Sequence, residues 1–292
     1  MLTFVTIPIF GLESQSLLGK MSIYNDLLHK GFCVVENLVD DSLLELLNND
    51  FNLIKNFPVS KHYPVLPVGK KLPVTDLLNK VIDPLSESIK NNTGISTNVH
   101  PTPVYFSIKH GVNFDWHQDH ESFYQTGDHS NYLNIYIPIY KTDPALSNVC
   151  VINFEKLLDL DPSLAFLKGY GATRFSCKDN KTIIKDDNTD KETVLNFNIN
   201  QIADCPNLKV GDALIMRGDC IHRTQDTLTD RVSISIRRMD CNTIINKSNF
   251  DINSQVKEFI FKNSEDYYQK LISKFSNNDE IKLGDLLDLH TR

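Results

Sequence analysis

The feature that most constrains the fold is a change in hydrophobic period near residue 100. Before it, apolar residues recur at helical spacing, and after it they alternate with other residue types. In the segment 131–140 the alternating sets are Leu133, Ile135 and Ile137 against Tyr132, Asn134 and Tyr136. A period of two is typical of a strand whose faces meet different surroundings. The middle of the chain is therefore predicted to be β-structure.

Several short strands with turn signals between them indicate a β-sandwich or a barrel. The predicted strands are 104–108, 131–140, 149–154, 194–199, 213–216 and 232–237. The segment 178–192 is highly polar and lies between two of these strands. It is predicted to be a surface hairpin or, alternatively, a flap over a functional site.

Helical periodicity flanks this β region on both sides. Helices are predicted over 22–30, from an N-cap at Asp40 or Asp41, over 75–92 and within 251–292, with a short strand at 32–35 and a loop at 57–75. The apolar segment 1–12 lacks a basic n-region and is expected to be a strand or core segment, not a signal peptide.

These patterns predict one domain over 1–292, mainly β with flanking helices, of the α+β class. Its parts are an N-terminal helical and strand flank at 1–99, a β core at 100–240 that contains the insertion 178–192, and C-terminal helices at 241–292.

Composition excludes several classes of protein. The chain has 292 residues, with 30 Lys and Arg against 37 Asp and Glu, and a net charge of −7. This acidic balance argues against a nucleic-acid partner. No apolar run reaches the roughly 20 residues that cross a bilayer, so a cytoplasmic protein with no membrane partner is expected. The 6 cysteines include no CxxC pair, which argues against a zinc ribbon, and reduced thiols are expected. No pattern predicts an oligomeric state.

The segment 114–120, with the sequence FDWHQDH, holds a candidate metal site. His117 and Asp119 are two positions apart, so on a strand both side chains point to the same face. An imidazole and a carboxylate suit Fe(II), Mn(II) or Zn(II). The pair alone is equally consistent with a surface histidine beside an aspartate that caps a helix.

The segment 211–233 adds a third ligand and a candidate anion site. His222 follows an apolar strand at 213–216, and with the first pair it makes the two-histidine, one-carboxylate set of non-haem Fe(II) oxygenases. Arg231 and Ser233 share one face of the next strand. A guanidinium binds a carboxylate through two parallel hydrogen bonds, and a buried arginine beside a metal needs such an anionic partner.

Together these segments resemble the phytanoyl-CoA dioxygenase (PhyH-like) family of Fe(II)/2-oxoglutarate-dependent oxygenases. The resemblance covers roughly residues 22–240 in scattered motifs. The family's Trp-His-Gln-Asp motif matches 116–119, its strand with a distal histidine and an Arg-x-Ser pair matches 211–233, its asparagine turn loosely matches 147–149, and its opening helix-strand-helix matches 29–47. The family's Pro-Gly-Ser-His motif is replaced by 152–155, with the sequence INFE.

The resemblance implies a double-stranded β-helix core of the jelly-roll or cupin-like type. The implied iron ligands, which are also the catalytic residues, are His117, Asp119 and His222. Arg231 would hold the distal carboxylate of 2-oxoglutarate with help from Ser233. The further residues that would contact the co-substrate or the substrate are Tyr105, Asn134 and Tyr136.

The implied activity is oxidation of a small molecule with O2, releasing succinate and CO2. Related halogenases carry a small residue at the position of Asp119, so the carboxylate favours hydroxylation. Arg237 and Arg174 are candidate anchors for an anionic substrate such as an amino acid or another carboxylate, although surface arginines fit equally well. Two alternatives stay open. One is a Zn(II) or Mn(II) isomerase or hydrolase on a cupin-like barrel, and the other is a catalytically silent barrel that binds a ligand.

Overall fold

The computed structural model describes residues 17–57, 65–101, 103–119, 129, 131–252, 254–263 and 265–287. The prediction for 1–12 lies outside these residues. Within the described ranges, no helix combines the length and the apolar character needed to span a membrane.

Six antiparallel strands form the main sheet. They are β1 (Phe32–Val35), β2 (Val65–Pro67), β3 (Val104–Ser107), β4 (Tyr132–Lys141), β10 (Ala213–Arg217) and β12 (Arg231–Met239). Their order in the sheet is β1-β10-β4-β12-β3-β2. These bounds confirm five predicted strands, and no end differs from its prediction by more than two residues. The five predictions are 32–35, 104–108, 131–140, 213–216 and 232–237.

One face of this sheet packs against the N-terminal helices. Ile135 of β4 and Ile234 of β12 belong to the same buried cluster as Leu47 and Leu85, which lie on two of those helices. The opposite face carries Tyr136, which packs in a separate cluster with Val151 of the second sheet. The alternation in the sequence thus separates a face that holds helices from a face that points to the second sheet.

The N-terminal helices are α1 (Leu17–His29), α2 (Asp41–Ile54), α3 (Lys71–Leu77) and α4 (Asp83–Thr93). The α2 N-cap is Asp40, whose carboxylate accepts a hydrogen bond from the Leu43 amide at 2.8 Å. A π-helical segment at Leu78–Ile82 joins α3 to α4, so the helix predicted at 75–92 is confirmed but begins earlier.

The loop predicted at 57–75 is wrong in its second half, which holds β2 and the start of α3. Prolines argued for a loop there. Pro67 lies on the edge strand of the sheet, and Pro73 lies in the first turn of α3, where the helix has no backbone acceptor for an amide hydrogen. Both are positions at which proline is compatible with regular structure.

A second sheet of three strands faces the main sheet. Its strands are β5 (Val149–Ile152), β9 (Ala203–Asp204) and β11 (His222–Thr224), in the order β11-β5-β9. A disulfide joins Cys150 of β5 to Cys205, directly after β9. The expectation of reduced thiols is therefore wrong for this pair. The two cysteines become neighbours only through the register of β5 and β9, which their spacing does not reveal.

The polar insertion forms a β-meander. Its strands are β6 (Thr173–Lys178), β7 (Lys181–Asp186) and β8 (Glu192–Leu195). Asp179 and Asn180 make the two-residue turn, both with positive φ, as a tight hairpin of type I′ requires. The strand predicted at 194–199 is wrong beyond Leu195, because Ile199–Ile202 is a 3-10 helix capped by the Asn198 side chain. Strand 149–154 likewise ends at Ile152, before α5 (Phe154–Leu160).

The C-terminal part pairs β13 (Ile244–Asn246) with β14 (Glu280–Lys282) around three helices. These are α6 (Gln255–Asn263), α7 (Glu265–Ser273) and α8 (Leu283–Leu287). Phe250, Phe275 and Leu271 form the centre of their buried cluster, which also contains Tyr132 and Met239 of the main sheet. This packing explains the helical periodicity of 251–292.

Candidate functional site

Two distant parts of the chain meet at His117 and His222. Their backbones exchange two hydrogen bonds, from the His117 amide to the His222 carbonyl at 3.0 Å and from the His222 amide to the His117 carbonyl at 2.9 Å. In an antiparallel pair, residues that exchange both bonds are directly opposite and place their side chains on the same face. The two imidazole rings accordingly lie with their centroids 4.3 Å apart.

Asp119 completes a group that is able to hold a metal ion. One of its carboxylate oxygens lies 3.8 Å from Nε2 of His117 and 3.7 Å from Nε2 of His222. An ion about 2.0–2.2 Å from each ligand atom allows those atoms to be at most about 4.4 Å apart. The three side chains that sequence reasoning selected are therefore brought together, and they are the one such group found within the described ranges.

Hydrogen bonds to backbone carbonyls fix the tautomer of both histidines. Nδ1 of His117 lies 2.7 Å from the Asp115 carbonyl oxygen, and Nδ1 of His222 lies 2.9 Å from the Cys220 carbonyl oxygen. A carbonyl only accepts, so each Nδ1 carries the hydrogen and each Nε2 has a lone pair for a metal. This is the usual arrangement around metal-binding histidines.

Gln118 holds the segment between His117 and Asp119 in place, where His117 forms an isolated β-bridge. It is fully buried, and its amide nitrogen donates to the carbonyls of Leu167 at 2.8 Å and Asp219 at 2.7 Å. Its amide oxygen accepts from the Thr173 hydroxyl at 2.7 Å. Because both amide hydrogens and the amide oxygen of Gln118 are hydrogen-bonded to other parts of the chain, this residue restrains the orientation of the neighbouring His117 and Asp119.

Arg237 lies beside the second oxygen of Asp119, with Nε at 3.9 Å. Both side chains are at most about one-fifth exposed. The positive charge stabilises the ionised carboxylate, which is the form that binds a metal. Arg237 is thus next to the candidate metal position, on the strand that also carries Arg231 and Ser233.

Arg231 and Ser233 belong to a buried polar pocket on the inner face of the main sheet. Arg231 is 2% exposed, and it donates one hydrogen bond, to the Ser147 carbonyl at 2.8 Å. Its guanidinium carbon lies 5.5 Å from the centre of the Tyr136 ring. Ser233 and Tyr136 are buried beside it. The sequence-predicted residues Arg231, Ser233 and Tyr136 are therefore neighbours.

Several donors of this pocket have no acceptor of good geometry in the part of the chain that the structure describes. They are Nε of Arg231, the hydroxyl of Ser233 and the hydroxyl of Tyr136. Burial raises the pKa of Tyr136, and the Arg231 charge and the Ser233 hydroxyl oppose only part of that rise, so the phenol keeps its hydrogen. Buried donors without an acceptor are costly. A bound anion with several acceptor atoms, such as a carboxylate, supplies what they lack.

Tyr105 does not reach the site, which corrects the prediction for this residue. Its hydroxyl donates to the Asp50 carboxylate at 3.0 Å, and its ring packs edge-on against Phe51 of α2. Tyr105 is opposite Ile234 in the register of β3 and β12, so it lies on the helix-covered face. A shift of one residue in the assumed register is enough to reverse the face.

Asn134 does lie on the inner face, opposite Arg237 in the β4–β12 register. Its amide oxygen accepts a hydrogen bond of 2.7 Å from the Ser235 hydroxyl. Arg174 is next to the metal ligands through its backbone, which is paired with His117. Its guanidinium binds Asp187 through two hydrogen bonds of 2.6 Å, so its charge is turned to the insertion.

Sequence reasoning missed two charged residues of this region. Asp187 is fully buried and belongs to the polar insertion, where one aspartate among several carries no distinguishing signal. Lys141 ends β4 directly opposite Arg231. Only the register of β4 against β12 shows this pairing, and the sequence does not contain it.

The chain is similar to known proteins in its fold. No protein-family model matches the chain, and no curated protein matches it. Solved structures do match. The non-heme alpha ketoglutarate dependent carbocyclase SnoK from nogalamycin biosynthesis has a TM-score of 0.53 at 8% identity, over 82% of this chain and 89% of that one.

Two further matches are similar in extent. The non-heme alpha ketoglutarate dependent epimerase SnoN from nogalamycin biosynthesis has a TM-score of 0.51 at 11% identity, over 79% of this chain and 86% of that one. EvdO2 from Micromonospora carbonacea var. aurantiaca, complexed with 2-oxoglutarate, has a TM-score of 0.50 at 12% identity, over 75% and 90%. The prediction of a sheet-rich fold with flanking helices is confirmed, and it is compatible with the jelly-roll or cupin-like fold.

Proposed function

We propose that this protein is an Fe(II)- and 2-oxoglutarate-dependent oxygenase that oxidises a small organic molecule. The observation that carries the proposal is the pairing of two sites. A two-histidine, one-carboxylate group lies beside Arg237 of β12, and the same strand carries a buried arginine, Arg231, whose pocket has unmatched donors. The similarity of the fold to SnoK, SnoN and EvdO2, and the motif resemblance to the PhyH-like family, support it.

The residues present fit both groups that this chemistry needs. His117, Asp119 and His222 would hold the iron through two Nε2 atoms and a carboxylate oxygen, which leaves positions open for co-substrate and O2. Arg231, Ser233 and Tyr136 would hold the distal carboxylate of 2-oxoglutarate. When bound, iron and 2-oxoglutarate supply the oxidising chemistry, consuming O2 and releasing succinate and CO2.

The chain's own contribution is orientation and charge. The carbonyls of Asp115 and Cys220 keep the hydrogens of the two histidines on Nδ1. Arg237 lies beside Asp119, and its place next to the metal position suits it to orient an anionic group of the substrate, such as a carboxylate. Hydroxylation is the proposed outcome, because a carboxylate occupies position 119. Arg174 is not part of this proposal, since Asp187 binds its guanidinium.

We also infer that the two facing sheets are the core of a double-stranded β-helix, within a single domain. The metal isomerase or hydrolase and the silent barrel are weaker alternatives. Neither alternative requires a buried pocket of arginine, serine and tyrosine on the strand whose Arg237 lies beside Asp119.

The test is an anaerobic titration of the protein with Fe(II) and 2-oxoglutarate. Chelation of Fe(II) by the 2-oxo acid gives a weak charge-transfer band at about 500 nm. We expect the band in the wild type, its loss in His222→Ala and its retention in His29→Ala, a matched change of an exposed histidine at the end of α1. Folded, iron-loaded wild type without the band would rule out the proposal.

A further inference from the structure

Lys141 and Arg231 are directly opposite in the antiparallel β4–β12 pair. Opposite residues place their Cβ atoms about 4.5–5.5 Å apart, and like charges in that relation destabilise a sheet. Among the described residues, the hydrogen bonds of both side chains go to uncharged oxygen atoms and not to carboxylates. Two cations side by side are therefore a costly arrangement for folding alone.

A β-bulge brings Lys141 to this position. The register shifts between Val232 and Ser233, so that Val232 is opposite Tyr140 whereas Ser233 is opposite Pro138. Ile139 is the extra residue, and it packs in the helix-facing cluster. In a regular strand without the bulge, Lys141 would lie on the same face as Ile137 and Ile139. The bulge turns Lys141 to the inner face, with Arg231.

Neutral acceptors hold the Lys141 ammonium in place. It donates to the carbonyls of Pro144 at 3.0 Å and Leu208 at 3.1 Å, and to the side-chain oxygen of Asn148. An ammonium has three hydrogens, so its donors are used. Asn148 follows Ser147, whose carbonyl binds Arg231. The two cations are thus held by acceptors on two consecutive residues, Ser147 and Asn148.

The carboxylates around Lys141 are engaged elsewhere. Asp143 accepts from the Ala145 amide, Asp212 from the Asn37 and Lys209 amides, and Asp226 from the Ser147 amide and hydroxyl. Burial, with the neighbouring Arg231 charge, lowers the pKa of Lys141 to about 8, and those three carboxylates oppose this only in part.

We propose that Lys141 is a second cation of the carboxylate pocket, which acts through space on the distal carboxylate of the co-substrate and selects a dicarboxylic 2-oxo acid over a monocarboxylic one. This inference rests on the proposed function. Lys141 is a positioning residue, since its own hydrogens are used. The bound carboxylate relieves the repulsion between the two cations, and binding takes up a proton wherever Lys141 was neutral.

The sign of the pH dependence follows from this linkage. A bound carboxylate raises the pKa of Lys141 above its value of about 8 in the free protein. The affinity for a dicarboxylate is therefore highest below that pH and falls as the pH rises through it. A monocarboxylic 2-oxo acid places no charge beside Lys141, and its affinity lacks this dependence.

The experiment compares 2-oxoglutarate with 2-oxovalerate, which lacks the distal carboxylate. Binding to the Fe(II)-loaded protein is followed anaerobically by the charge-transfer band, in wild type, Lys141→Met and Lys141→Arg. We expect Lys141→Met to lose about tenfold in affinity for 2-oxoglutarate and to keep its affinity for 2-oxovalerate. Lys141→Arg, which keeps the charge, should retain most of the preference.

The pH profile of the same two binding reactions separates a role of the Lys141 charge from a purely structural role. The wild-type preference for 2-oxoglutarate should fall between about pH 7 and pH 9 and stay flat in Lys141→Met. Equal losses for both acids in Lys141→Met, or a flat wild-type profile, overturns the inference while leaving the oxygenase proposal intact. A wild type that shows no band with either acid overturns both.

Discussion

Replacing Arg231 by methionine is expected to weaken co-substrate binding more than a hundredfold without destabilising the free protein. Methionine has a similar length and no charge. Arg231 is 2% exposed and lies beside a second cation, so the two effects of the substitution have opposite signs. If Arg231 served only the fold, the substitution would lower the free energy of unfolding and leave the affinity for 2-oxoglutarate unchanged.

The magnitudes follow from its contacts. Truncating one partner of a buried, hydrogen-bonded charge pair costs about 2–5 kcal/mol, and a loss of about 3 kcal/mol raises the Kd for 2-oxoglutarate more than a hundredfold. In the free protein the variant loses a hydrogen bond to Ser147 and a contact with the Tyr136 ring, each worth about 1 kcal/mol. Removing a buried unpaired charge returns at least as much.

The assay pairs anaerobic titration of the charge-transfer band with urea denaturation in the absence and presence of 2-oxoglutarate. Wild type and variant should unfold with free energies that agree within about 1 kcal/mol when 2-oxoglutarate is absent. Added 2-oxoglutarate should stabilise only the wild type.

Arg238→Met is the matched control. Arg238 is equally buried on the same strand, and it pairs with Asp83 at 2.8 Å. Because this charge has a partner, the change should lower the free energy of unfolding by about 1–2 kcal/mol and leave the Kd unchanged. If Arg231→Met behaves like Arg238→Met, the assignment of Arg231 to an anion site is refuted.

Three further substitutions or treatments test the site and its supports. Gln118→Leu leaves buried carbonyls unmatched; we expect it to lower the unfolding free energy by about 2–4 kcal/mol and metal affinity by about tenfold or more, measured by urea denaturation and metal titration. Asp187→Ala removes the carboxylate partner of the half-exposed Arg174. We expect faster amide hydrogen exchange in β6 and β7 and a free energy of unfolding lower by about 1–2 kcal/mol. Unchanged exchange protection would contradict the inference that Asp187 stabilises the insertion. Reduction of the Cys150–Cys205 bond, which closes a separation of 55 residues, should cost about 4 kcal/mol in denaturation with reductant.

The parts of this protein that sequence predicted well are those governed by local periodicity. The alternation in 131–140 predicted β4, because successive residues of a strand point to opposite faces of the sheet. Asp40 was predicted as an N-cap, and its side chain accepts the Leu43 amide at the start of α2. The metal ligands could be predicted from the sequence for a similar reason. His117 and Asp119 share a face in any regular strand, and His222 was tied to them by motif order.

The parts that sequence did not predict depend on register between distant strands. Tyr105 was assigned to the wrong face, since a strand of four residues has no signal that fixes its register. Lys141 was missed because one extra residue in β4 decides its direction. The Cys150–Cys205 bond depends in the same way on the pairing of β5 with β9. None of these relations is encoded by neighbours in the chain.

The backbone exchange between His117 and His222 has a consequence for the order of folding. The two residues are separated by most of the β core, so their meeting requires closure of a long loop, a slow event in folding. A metal ion has no complete set of ligands until this closure has occurred, and so it cannot guide the chain toward it. Bound metal should therefore slow unfolding of the finished protein and leave the rate of folding nearly unchanged.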